Sequence, residues 1–198
     1  MTPVATIEAL VDDNKFEGLS RKIYDDYRTA LLNQLYYACR LARYKRYNLL
    51  YEIILALGTS GTIAAWYAWR TDTGKIAWAF YAGVVAILTV IKPIVNLPRE
   101  IERFSKQNAG YRDVYYDLNQ LIDDIELNLY INGKMLDLYG ATKKRSRELA
   151  PDDDPQSKEK LLRKIQFDVN KSKSSYIDWY TAIEQRRIKE NNNVQRRA

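Results

Sequence analysis

A run of small and hydroxylic residues, Gly58-Thr59-Ser60-Gly61-Thr62, sits inside an otherwise apolar stretch, Ile53–Trp69. In an assembly of several copies, Thr59, Ser60 and Thr62 are candidates to line a water-filled path. The competing role is close helix packing, because small residues four apart let membrane helices approach each other. Gly61 with Ala65, and Ala79 with Gly83 in a second apolar stretch, have that spacing. Glu52 and Lys92 are the charges that flank the two stretches. In an antiparallel hairpin they are expected at matching depth, either as a pair or each snorkelling alone into head groups.

Catalytic chemistry has little to work with. The chain has no histidine and one cysteine, Cys39. Neither a Ser–His–Asp nor a Cys–His arrangement exists, and the commonest metal ligand is missing. There is no glycine-rich phosphate loop or dinucleotide fingerprint, and no spacing singles out a carboxylate pair. The expectation is no enzyme, no cofactor and no metal site. The single cysteine also rules out a disulfide within one chain.

The second apolar run is Ile76–Ile91, and the polar stretch Arg70–Lys75 separates the two. The charge-free runs are roughly 24–26 Å long as helices at about 1.5 Å per residue. A hydrocarbon core needs about 20 residues. Extension past Glu52 on one side and Lys92 on the other brings both spans, about 49–69 and 76–97, to that length. Trp66, Tyr67, Trp69, Trp78 and Tyr81 cluster near the turn, and Tyr44, Tyr47 and Tyr51 mark the other boundary, as two interfacial belts. A soluble bundle with an unusually apolar central hairpin is the rival reading.

Basic residues set the orientation. Arg40, Arg43, Lys45 and Arg46 precede the first span, and Lys92, Arg99, Arg103 and Lys106 follow the second; the turn has only Arg70 and Lys75. Both termini are expected in the cytoplasm. Met1–Ser20 is acidic and has no signal-peptide core, so the first span is expected to act as the insertion signal. The net charge of +6 comes from membrane-flanking and tail residues. The basic residues are interleaved with Asp and Glu, which argues against nucleic acid and for anionic lipid.

The expected class is an all-α membrane protein: a two-helix transmembrane hairpin with long amphipathic cytoplasmic helices. Residues 1–19 form an N-terminal segment. Residues 20–48 form an amphipathic helix with Ile23, Tyr27, Leu31, Leu35, Ala38 and Leu41 on one face. The hairpin occupies 49–98, ended by Pro93 and Pro98. A helix over 99–148 carries a seam of Tyr111, Val114, Leu118, Leu121, Ile125, Asn128, Asn132, Met135 and Tyr139, with the two Asn fixing register. After Pro151-Asp-Asp-Asp-Pro155, a helix over 151–190 has the seam Leu162, Ile165, Val169, Ser172, Tyr176, Trp179 and Ile183. Residues 191–198 read as a disordered tail. Open amphipathic faces imply packing together or against other copies, hence a homo-oligomer in a lipid bilayer.

A basic, Tyr-rich helix (Arg43-Tyr44-Lys-Arg46-Tyr47) leads straight into the first span. A short turn, the second span and Lys92-Pro93-x4-Pro98-Arg99 follow, then a long helix with Tyr111-Arg112-x2-Tyr115-Tyr116-x-Leu118. Over roughly Ser20–Glu126 this arrangement resembles the SLATT domains, the SMODS and SLOG-associating two-transmembrane effectors of bacteria. The resemblance implies an inner-membrane effector of antiphage or conflict systems, which forms a pore or disrupts the membrane when a partner nucleotide synthase or sensor signals. It supplies no catalytic residues, and the chain has no separate ligand-binding domain. The alternative is a non-conducting anchor or scaffold that docks a soluble partner through its cytoplasmic helices.

Overall fold

The computed structural model describes residues 4–60, 71–150, 158–172 and 175–195. All its regular structure is helical, with no strand among the described residues. The helices are α1 (Val4–Ser60), α2 (Asp72–Val95), α3 (Leu97–Asn128), α4 (Gly133–Leu149), α5 (Glu159–Ser172) and α6 (Tyr176–Gln195). They fall into two compact units. One comprises Met1–Tyr36 with Gln107–Ala198, and the other Tyr37–Lys106.

The first unit is a helical bundle whose core comes from four helices. α1 gives Ile23, Tyr24, Tyr27 and Ala30, and α3 gives Val114, Leu118, Leu121, Ile122 and Ile125. α4 adds Met135 and Tyr139, and α6 adds Trp179 and Ile183. The three- and four-residue steps of α3 bury Leu121 and Ile125 completely. Each such side chain contributes roughly 1.5–3 kcal/mol on burial. Tyr24 stacks on Trp179 at 4.9 Å and Tyr27 on Tyr115 at 5.2 Å. The Trp179 indole N–H donates to Glu126 Oε1 at 2.8 Å, so the buried ring keeps its polar atom bonded.

Several expected boundaries move. α1 runs unbroken from Val4 through Ser20, so no break falls at the expected boundary between 19 and 20. Its inward face also differs. Tyr24 and Ala30 are buried, whereas Leu31 is only partly buried and Leu35 is exposed. The helical repeat runs through Ile23, Tyr27 and Ala30, and Leu31 and Leu35 fall one residue to the side.

The expected 99–148 helix is two helices. Leu129 adopts φ 60°, a left-handed conformation that ends α3, with its N–H still bonded to Ile125 O at 2.9 Å. The two Asn do not fix a register. Asn128 is exposed and bonds Asp124 O, and Asn132 caps α4 by accepting the Met135 N–H at 2.9 Å.

The expected 151–190 helix is also two. α5 ends at Ser172, and α6 begins after Ser175, whose hydroxyl accepts the Ile177 N–H while Asp178 accepts the Ser175 N–H. That reciprocal pattern is a capping box with Asp in place of Glu. α6 continues to Gln195, so the tail is helical over 191–195. The acidic stretch 151–155 lies outside the described residues.

In the second unit, α2 ends at Val95 and α3 begins at Leu97. Between them Asn96 has φ 41°, a conformation that Asn tolerates better than most residues. Its carbonyl accepts the N–H groups of Arg99 and Glu100. Pro98 falls in the first turn of α3, where its missing N–H leaves no helical bond unmade. The break expected around Pro93 and Pro98 is therefore present, with Asn96 as its pivot.

Candidate functional site

α2 begins where Thr71 stops it fraying. The Thr71 hydroxyl accepts the Gly74 N–H at 3.2 Å, and its carbonyl accepts the Lys75 N–H at 3.1 Å. Asp72 occupies the first turn, where a negative charge meets the positive end of the helix dipole, and pairs with Lys75 at 2.9 Å. The expected polar turn at 70–75 is thus largely helix. Asp72–Lys75 form the first turn of α2 and Thr71 its cap.

From there the residues become apolar. Asp72–Ile91 is 20 residues long and apolar enough to cross a membrane by length and composition, and none of it is buried inside the protein. Ile76, Phe80, Ile87 and Val90 are between 61% and 76% exposed. In water, this much open Ile, Phe and Val would be strongly unfavourable. Among the described residues it is the one helix meeting that length and composition.

The opposite face of α2 meets α1. Tyr51 donates its hydroxyl to Leu88 O and Tyr81 donates to Ile54 O, each at 2.6 Å. As numbers rise on α1 they fall on α2, so the two segments run antiparallel. In an apolar medium a phenol without a partner is costly. Both rings avoid that cost by bonding a carbonyl of the neighbouring helix. Tyr51 and Tyr81, two of the aromatic residues expected in the belts, thus fasten helix to helix, and Trp66, Tyr67 and Trp69 lie outside the described residues. Trp78 lies against Tyr81 at 5.6 Å and Tyr44 meets Tyr47 edge-on at 6.4 Å.

These bonds fix the register, and the register revises one expectation. Taking Tyr51 opposite Leu88 puts Glu52 level with Ile87, and taking Ile54 opposite Tyr81 puts it level with Gly83. Lys92 then lies about five to nine residues, or about 7–13 Å, further along the axis at about 1.5 Å per residue. Their backbones are not at one depth. Glu52 Oε1 accepts the Asn48 side-chain amide at 2.8 Å. The Lys92 side chain is outside the described ones.

The remaining candidates divide. Ala79 and Gly83 are exposed, and a Cβ added at Gly83 would meet nothing within 4 Å. Among the described residues this pair seats no other helix. Thr59 and Ser60 belong to the last turn of α1, and their side chains are outside the described ones. Gly61, Thr62 and Ala65 lie outside the described residues altogether.

Below the apolar helix, still within the second unit, Phe104 is fully buried among aromatic and cationic groups. Tyr44 stands 5.1 Å and Tyr37 6.2 Å from its ring, and the Arg40 guanidinium lies 4.3 Å from its centroid. Arg103 approaches the same ring at 5.4 Å. Cation–π contacts of this kind are worth about 0.5–2 kcal/mol and hold basic groups beside an apolar span.

The bundle unit has a polar cluster that no sequence motif announced. Asp26 Oδ2 on α1 accepts the Tyr139 hydroxyl at 2.6 Å and the Lys143 ammonium at 3.1 Å. The Tyr139 phenol is pushed up by burial and then by the Asp26 bond. Lys143 is also raised, by its bonds to Tyr139 and Asp26. One turn along, Asp117 on α3 accepts from Arg145 at 2.8 Å and from Thr142 at 3.4 Å. Two carboxylates thus tie α4 to α1 and to α3. No group of three or more metal-ligating residues occurs among the described residues.

No family model, curated protein or solved structure matches the chain.

Proposed function

We propose that the chain is an oligomeric bacterial inner-membrane effector whose apolar hairpin spans the bilayer twice and whose helical bundle stands in the cytoplasm. The observation that carries this reading is the uncovered 20-residue apolar helix Asp72–Ile91. Its fastening to the end of α1 by two tyrosine hydroxyls supports a first span at 49–69 beside it. The basic residues on the Tyr37–Lys106 unit, against Arg70 and Lys75 at the turn, support cytoplasmic termini.

Two helices per copy enclose no lumen, so conduction requires assembly. The exposed face of α2 offers Ala79 and Gly83 for close approach between copies. Hydroxyls for a water path come from Thr59, Ser60 and Thr62. A defence role, with a nucleotide-signalling partner protein as trigger, rests on the resemblance to the SLATT effectors. Expression in bacteria with a potential-sensitive dye is the test. Depolarisation that is lost when Thr59, Ser60 and Thr62 all become Leu supports a pore, and unchanged depolarisation in that variant rules out this lining.

A second reading has its own observation. The exposed face of α2 around Ile76, Phe80, Ile87 and Val90 is apolar throughout, which suits lipid better than a lumen. On that reading the protein is a non-conducting anchor. It predicts membrane localisation with no loss of potential at any expression level.

A further inference from the structure

Tyr139, Lys143 and Arg147 follow one another at four-residue steps on α4 and face a cavity of about 180 Å³. α1 closes one side with Asp26 and Thr29, and Val114 and Leu118 of α3 line its apolar floor. At about 30 Å³ per water, the space equals roughly six waters.

The polar groups of this cavity are unevenly spent. Thr29 donates to Asp25 O at 2.8 Å, and Thr142 donates to Asp117. Asp26 takes two donors on one oxygen. Ser146 and Arg147 also line the cavity but have no side-chain bond to another described residue. What remains toward the cavity is therefore mostly donors: a hydroxyl, a guanidinium and the third proton of the Lys143 ammonium. Lys143 and Arg147 against Asp26 leave one net positive charge. A donor-rich, singly positive pocket matches a ligand made of acceptors with one negative charge.

We propose that this cavity binds a small soluble oxyanion, the phosphate or carboxylate group of a small molecule. Arg147 and Ser146 are its ligands, with Lys143 as third donor. Asp26 stays the one anionic acceptor on the cavity wall: Lys143 and Tyr139 both bond its Oδ2 and offset its charge, and the anion is held on the Arg147 and Ser146 side, away from the Oδ1. The site depends on neither membrane insertion nor conduction.

The test uses the full chain in detergent, with inorganic phosphate titrated at constant ionic strength against chloride. The expected result is a saturating rise in the unfolding midpoint. Arg147→Gln weakens the half-saturation point about tenfold or more, the loss expected for a hydrogen bond to a charged group. Ser146→Ala weakens it less. Arg145→Gln, whose guanidinium pairs with Asp117 and does not line the cavity, leaves it unchanged. Acetate run in parallel separates the two head groups, and saturation by either one supports the site. Saturation by neither, or equal weakening in Arg147→Gln and Arg145→Gln, overturns it.

Discussion

Tyr51 reaches across to Leu88 O, and Tyr81 returns the contact to Ile54 O, both at 2.6 Å. Both acceptors are main-chain carbonyls, so the contact survives side-chain changes at Leu88 and Ile54. Replacing either tyrosine by Phe keeps the ring and removes the bond. Each change is expected to destabilise the protein by about 0.6–1.7 kcal/mol, the range for hydrogen bonds between membrane helices. Unfolding in mixed micelles measures it. Wild-type stability in the double variant would show that these hydroxyls hold nothing.

The two tyrosine bonds place Glu52 and Lys92 about 7–13 Å apart along the axis at about 1.5 Å per residue, so charge reversal at both positions is expected to restore little. Glu52→Lys with Lys92→Glu should express in membranes no better than the poorer single variant. Full recovery in the double variant would show that the long side chains bridge the gap.

A Cβ added at Gly110 on α3 would run into the Leu149 methyls of α4, so that flexible, half-buried side chain would have to shift. Gly110→Ala is expected to cost at most about 1 kcal/mol, because the helix propensity gained offsets much of the cost of displacing Leu149. Adding Leu149→Ala should recover part of that loss. A double variant that simply sums the two single losses would count against this contact.

Asn132 caps α4 by accepting the Met135 N–H. Asn132→Ala is expected to cost about 1 kcal/mol and Asn132→Asp to be nearly neutral. Thermal unfolding monitored by circular dichroism distinguishes the two. Equal losses would show that the cap acts through the backbone alone.

Alkaline pH should loosen the bundle. The Tyr176 phenol is pushed up to about 12 by burial first and then by the Glu17 charge, and Tyr139 and Lys143 are also raised. In each case the folded state holds its proton more tightly than the unfolded chain does. Their contribution is therefore complete below about pH 10 and is lost as pH rises toward 12. The unfolding midpoint should be flat from pH 8 to 9.5 and fall above it, and Tyr176→Phe should fall less. A midpoint insensitive to pH up to 11.5 would contradict the assignment.

Much of the helical order was legible in the chain. The α3 seam from Tyr111 to Ile125 is buried as its spacing predicts, and so are Ile165, Val169, Trp179 and Ile183. The breaks were harder. Leu129 leaves the helix although nothing local to leucine favours φ 60°; the cap at Asn132 and packing of Leu129 against the core accompany it. Ser175 and Asp178 do spell a capping box, but the apolar pattern runs through them and hides it. The cluster of Asp26, Tyr139 and Lys143 was not legible at all. Tyr139 and Lys143 are one helical turn apart, but Asp26 lies 113 and 117 residues before them, and no local pattern connects it to the pair. The tyrosines of the apolar stretch could have been read further. A phenol in a lipid-facing helix must find an acceptor, and the nearest ones are the carbonyls of the neighbouring helix.

The core partners of α1 have a consequence for the order of synthesis. Tyr24 emerges from the ribosome early, yet it stacks on Trp179, and Tyr176 bonds Glu17 O from 159 residues away. Everything apolar in Asp72–Ile91 is made in between. On the proposed membrane reading, insertion of that helix can run to completion while the tyrosine face of α1 is still open. The bundle closes only when the last helix is released, a slow step dominated by distant contacts. A nascent chain stalled before Tyr176 would lack Trp179 and Ile183 in its core, and in that window the open face of α1 would be exposed to proteases.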